Sequence, residues 1–139
     1  MPNLHPLLVH FPLAILALGF LLDLVALLFK EEELHQAGWW SQLAGTVGLA
    51  AAVISGLIAK GSVKFATPAA TAIESHEQIA LIVAAVFTIL LLWRMANQTR
   101  VPNRLRMLFL ALLGLGVALM WVGAFYGGEL VYRFGVGVR

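Results

Sequence analysis

The sequence predicts an all-α integral membrane protein, a four-helix up-down bundle that forms a single transmembrane domain. Three observations carry this. Across 139 residues, 61% are hydrophobic and only 12% charged, too little polar surface to clothe a water-soluble globule of this size. Four apolar runs approach or reach the ~20 helical residues that a bilayer core of ~30 Å requires. Those runs are continuously apolar, without the period-two alternation of a transmembrane barrel.

The first run, Leu7 to Phe29, follows His5-Pro6, and a proline is tolerated in the first turn because its missing amide has no intrahelical partner. Pro12 then removes a donor about two turns in, which predicts a kink near His10 or a helix that starts only at Phe11. The run lacks a positive leader and a small-residue cleavage site, so it is expected to be retained rather than removed as a signal peptide. The second run, at about 39–59, carries Ala44, Gly48, Ala52 and Gly56 at four-residue intervals, a stripe that lets another backbone approach closely. The third lies at about 76–95 and the fourth at about 107–125, where Gly116, Ala124 and Gly128 repeat the habit. Such stripes also suit homo-oligomer formation. Lys30 to Gly38, Lys60 to Glu74 and Ala96 to Arg106 are expected as loops, and 126–139 as a tail freed by Gly127-Gly128.

Histidine placement carries the chemistry. His10 and His76 lie 66 residues apart, each followed one turn later by an alanine, and the same offset aligns Gly48 with Gly114 and Ala52 with Ala118. This suggests an internal duplication relating two hairpins by a pseudo-twofold axis. On the first and third helices, which are diagonal in such a bundle, both imidazoles would approach the centre at one depth. A bundle core with two inward imidazoles is a common host for non-covalent haem b. With no cysteine, covalent c-type attachment and thiolate metal sites are excluded. His10 and His76 are therefore the expected axial ligands, with Met120 and His5 as less favoured metal ligands; a His5 five residues from His10 is rotated by about 140° from it. A copper or zinc ion, or histidines merely wetted at the interface, are the competing readings. Tyr132 and Arg133 are placed to hydrogen-bond an anionic group such as a haem propionate, or else to anchor the chain at the interface.

His35, in a loop beside three glutamates, is expected to face solvent. Asp23 lies deeper in the first helix, and its natural partner is Arg94 of the third, as a structural ion pair or, less favoured, part of a proton relay. There is no nucleophile, catalytic carboxylate pair or phosphate-cradling loop, so catalysis by the chain alone is not expected. A formal charge of +2 does not suggest nucleic acid as a partner. Lys30, Arg94, Arg100, Arg104 and Arg106 on one face outnumber Lys60, Lys64, Arg133 and Arg139 on the other. The bias is small. It favours a cytoplasmic location for the first face and leaves both termini outside.

His5-Pro-Leu-Leu-Val-His-Phe-Pro and Gly127-Gly-Glu-Leu-Val-Tyr-Arg-Phe-Gly-Val-Gly-Val resemble the terminal signatures of a bacterial family of small four-helix membrane proteins of unknown function. The resemblance covers essentially the whole chain and implies a multi-pass inner-membrane protein, in which the charge bias above would make both termini periplasmic. Some relatives accompany redox proteins. Where relatives carry histidine this chain has Phe134, which leaves His10 and His76 as the ligand pair. The expected function is b-type electron transfer to or from a periplasmic carrier, a quinol or a respiratory complex. The alternative is a cofactor-free assembly or scaffold subunit of a larger membrane complex.

Overall fold

The computed structural model describes residues 5–61 and 67–136, and four helices hold most of them: α1 His5–Phe29, α2 Glu32–Gly61, α3 Thr67–Ala96 and α4 Asn103–Tyr132. There is no strand among the described residues. Each helix carries a stretch long and apolar enough to cross a membrane, over Leu8–Phe29, Glu32–Gly61, Ala69–Ala96 and Asn103–Tyr132. At 1.5 Å per residue the longer helices reach roughly 45 Å, beyond the hydrocarbon core, so their ends stand among the headgroups. The helices pack in a ring, α1 on α2, α2 on α3, α3 on α4 and α4 on α1, and α1 and α3 face each other across the diagonal. The chain is an all-α membrane bundle. Lys64, Arg139 and the Gly137-Val138 end of the C-terminal motif lie outside the described residues.

Several boundaries differ from the expectation for physical reasons. α1 starts at His5 and continues through Pro12, so it does not begin at Phe11; Pro12 is buried beside Gly48 rather than at a helix start. α2 begins at Glu32, well before Trp39. Glu32 and Glu33 occupy its first turn, where the helix dipole favours negative charge, and the loop shrinks to a turn pivoting on Lys30 with φ 58°. That shift makes His35 a helical, buried residue, correcting its expected exposure. α4 does not stop at Gly127-Gly128. Its end is set by left-handed Gly135 (φ 66°), whose amide donates to the Val131 carbonyl while the Val136 amide donates to Leu130.

Glycines bring the helices together, since packing rather than water exclusion drives association in lipid. On α2, Gly38, Gly45, Gly48 and Gly56 lie against Asp23, Leu16, Phe11 and His5 of α1; on α4, Gly116, Gly123 and Gly127 lie against Phe87, Ile79 and His76 of α3. A Cβ at Gly45 would come within 2.6 Å of Leu16. The contact face is turned from the expected stripes: Ala44 is exposed, and Gly128 has no neighbour within 4 Å to meet an added Cβ. Between the helices Leu16, Leu49, Val83, Phe87, Leu113 and Met120 form the centre of the core.

The two hairpins repeat each other, at an offset of 71 residues rather than 66. The bounds of α2 and α4 differ by this number, as do the contacts Gly45 to Leu16 and Gly116 to Phe87, and Gly56 to His5 and Gly127 to His76. The register change matters. It makes His5, not His10, the counterpart of His76, and it makes Asp23 the counterpart of Arg94.

Candidate functional site

Both counterpart pairs meet across the diagonal, one at each end of the bundle. At the end that holds the start of α1, the His5 and His76 rings lie 6.3 Å apart between centroids, nearly perpendicular at 74°. His5 donates Nδ1–H to the Ala52 carbonyl at 3.0 Å and shares it with Ser55 Oγ, also at 3.0 Å. His76 donates Nδ1–H to the Gly123 carbonyl at 2.9 Å. A carbonyl can only accept, so each Nδ1 carries a proton, and in that tautomer of the neutral ring the lone pair is on Nε2. Gly56 and Gly127 make this possible: a Cβ there would stand 2.9 Å from His5 Cε1 and 3.0 Å from His76 Cε1. Burial, and then the neighbouring His76, hold the His5 imidazole below its ordinary value of 6.5, which keeps it neutral.

The two rings line a cleft of about 450 Å³ whose walls are mostly apolar, with Val9, Leu13, Leu49, Val53, Ile79 and Val83 among them. His10 borders the same cleft from a more exposed position on α1, and Met120, 4% exposed, lines it from α4. Tyr132 stands at its edge and is 92% exposed. Arg133 is bonded to Glu129 at 2.6 Å and lies 5.4 Å over the Phe134 ring. Of the predicted residues, the structure thus gathers His5, His10, His76, Met120 and Tyr132 around one cavity and holds Arg133 at Glu129. Lys60 and Glu77 pair nearby.

Two imidazoles decide what this donor set can hold. Among the described residues no group of three or more histidine, aspartate or glutamate side chains could hold a metal ion. A bare zinc or copper ion would want three or four protein ligands. A metal that brings its own equatorial ligands wants two on opposite sides, each with its second nitrogen fixed by a carbonyl. The residues present fit the latter.

At the opposite end sits a cluster that is polar and almost sealed. Arg94 is wholly buried, Asp23 is 3% exposed, Gln42 1% and His35 8%. All five guanidinium donors find acceptors: Nη1 bonds Asp23 Oδ2 at 2.6 Å and Gln42 Oε1 at 3.1 Å, Nη2 bonds Asp23 Oδ1 and the His35 carbonyl at 2.9 Å each, and Nε bonds the Thr99 carbonyl at 3.1 Å. His35 Nδ1–H donates to Asp23 Oδ1 at 2.9 Å. The expected Asp23–Arg94 pair is therefore present. Gln42 Nε2 is buried without an acceptor among the described residues. The α3–α4 turn bends to serve the guanidinium: Gln98 and Thr99 both take positive φ, at 55° and 66°, an unfavourable conformation for a β-branched residue.

His35 and Gln42 escaped the sequence reading although a signal existed. They stand about three turns and about one turn before Gly45, on the face that continues through Leu49, Ala52 and Gly56, so carrying that face back past Gly38 places both inside.

Residues 1–139 match the family described as "Predicted membrane protein (DUF2231)". No match was found to a curated protein or to a solved structure.

Proposed function

We propose that this chain, which belongs to the DUF2231 family of predicted membrane proteins, binds one non-covalent haem b between α1 and α3 and passes single electrons. The observation that carries the proposal is the matched pair of imidazoles, 6.3 Å apart between centroids, each with Nδ1–H tied to a backbone carbonyl, which makes Nε2 the nitrogen that would meet a metal. With metal–imidazole bonds of about 2 Å, one ion can be shared across such a separation. His76 and His5 would hold the group, and His10, at the cleft edge, would be the alternative partner to His76.

Haem supplies reversible one-electron chemistry at iron, which no side chain of this protein can provide. The chain's own contributions are orientation and exclusion of water. The carbonyls of Ala52 and Gly123 fix the tautomer and make each imidazole a stronger donor. Glycines 56 and 127 keep the rings against α2 and α4, and the apolar walls lower the local dielectric. The arginines at the other end, Arg94, Arg100, Arg104 and Arg106, support a cytoplasmic placement of that end. The haem end and both termini then face the periplasm of a bacterial inner membrane, where a soluble carrier, a quinol or a respiratory complex would exchange electrons.

The test is the absorption spectrum of protein purified in detergent from cells supplied with a haem precursor. A Soret band with sharpened bands on reduction, lost in His5→Ala and in His76→Ala, is expected. A colourless protein that takes up no added haemin would overturn the proposal and favour a cofactor-free assembly subunit.

A further inference from the structure

We propose that Gly128 is the residue that admits the flat ligand of the histidine cleft, which lies off centre between the two hairpins, against the α4 backbone that Gly128 leaves bare. The inference rests on the haem reading above. It starts from a glycine that the fold does not use. Among the described residues, every other glycine within a helix, apart from Gly61 at the end of α2, would set an added Cβ 2.6 to 3.3 Å from its nearest neighbouring atom, so close packing accounts for each of them. Gly128 meets no atom within 4 Å. Nor does it turn the chain: α4 runs on to Tyr132, and the one glycine of positive φ among the described residues is Gly135. Glycine is among the poorest residues for a helix interior, so a position that neither packs nor bends needs another reason to be bare.

Its surroundings supply one. Gly128 lines the cleft that holds His5 and His76, between Ala124 one turn before it and Tyr132 one turn after it, and both of these line the cleft too. The repeat of 71 residues shows that the opening is one-sided. Val9 of α1 corresponds to Ala80 of α3, and Ala52, Val53 and Leu57 of α2 correspond to Gly123, Ala124 and Gly128 of α4. In all four pairs the smaller residue belongs to the α3–α4 hairpin and lines the cleft. Deeper in, Leu49 and its counterpart Met120 are similar in bulk. Two hairpins that only had to pack on each other would present equal walls. Here the side chains missing from α3 and α4 hollow the cleft on the side of His76.

A planar ring system can lie along a helix whose backbone is bare, and it gains dispersion contacts over its face there. A side chain at 128 stands in that space. The position therefore acts on the ligand through shape, while the imidazoles act through their nitrogens.

Haemin is titrated into the haem-free protein in detergent, followed by its Soret band, for the wild type, Gly128→Ala, Gly128→Leu and Ala124→Val; the last two place at α4 the residues that α2 carries at 57 and 53. The Tm of each haem-free protein is measured alongside. Haemin affinity should fall about tenfold or more in Gly128→Leu and in Ala124→Val, and less in Gly128→Ala, as expected when a filled space must be repacked. The haem-free Tm of both Gly128 variants should equal or exceed that of the wild type, because alanine and leucine are better helix formers than glycine. A loss of affinity with no loss of stability is a result that a packing role does not give. Wild-type affinity in Gly128→Leu and Ala124→Val would overturn the seat and leave the haem reading standing, and a lowered haem-free Tm in Gly128→Leu would show the glycine to be held by packing and also overturn it. A wild type that takes up no haemin would overturn the haem reading and this inference with it.

Discussion

Asp23→Asn removes the countercharge of a guanidinium that has no access to water. Asp23 accepts two bonds from Arg94, at 2.6 and 2.9 Å, and one from His35 at 2.9 Å. The asparagine amide keeps one oxygen and turns an NH₂ group toward donors, so at least one strong bond is lost and a donor–donor contact replaces it. Arg94 remains charged and 0% exposed. Removing one member of such a buried pair costs about 3–5 kcal/mol. For a chain of this size that corresponds to a fall in Tm of roughly 10–17 °C on soluble-protein scaling. The internal control is Glu32→Gln, which breaks an ion pair whose side chains are 69% and 62% exposed and should cost less than about 1 kcal/mol. Replacing both charges, as Asp23→Leu with Arg94→Met, should recover most of the loss, short of about 1–3 kcal/mol for the stranded His35 and Gln42 groups. Thermal or denaturant unfolding in detergent, followed by far-UV circular dichroism, measures all four proteins. If Asp23→Asn costs no more than Glu32→Gln, the cluster is hydrated and its burial carries no energetic weight.

Two further outcomes follow from the other end of the bundle. Gly56→Ala and Gly127→Ala drive a methyl into the rings of His5 and His76 and should each cost about 1–3 kcal/mol in the same assay. Gly128→Ala, in open space one residue on, should instead gain about 0.8–1.0 kcal/mol from helix propensity. Stability should also fall as the pH drops through 6.5. The folded state holds His5 below that value, so the unfolded chain binds the proton first, and the stability present above 6.5 is lost until the folded imidazole itself titrates. A shallower acid limb in His5→Gln, measured as Tm against pH, checks the assignment.

Hydropathy alone made the membrane bundle legible, because helices that satisfy their own backbone are one of only two solutions in lipid. The diagonal relation of α1 and α3 followed from short loops. Register was harder. Ala and Gly are so frequent that a repeat at 66 aligned small residues as persuasively as the true offset of 71, and His10 drew attention because it lies inside the apolar run. His5 lies before the span Leu8–Phe29, yet α1 begins there, and the longer α4 supplies Gly127 opposite His76. Helix ends were misjudged wherever polar residues looked like loop. Glu31–Glu33 read as a solvated turn, although acidic residues are favoured in a first helical turn, and that choice placed His35 outside the core. Gly127-Gly128 read as a stop, although glycine in a membrane helix often marks close packing. The Asp23–Arg94 pair was legible because an intramembrane charge needs a partner and few were on offer.

The most direct test of the central claim is the low-temperature EPR spectrum of the oxidised protein after reconstitution with haemin. The account predicts a low-spin signal of a bis-imidazole iron in the wild type and in His10→Ala, converting to high spin in His5→Ala and in His76→Ala. A low-spin signal that survives His5→Ala and disappears in His10→Ala would contradict the assignment of His5 as the partner of His76. Absence of any bound iron would contradict the account as a whole.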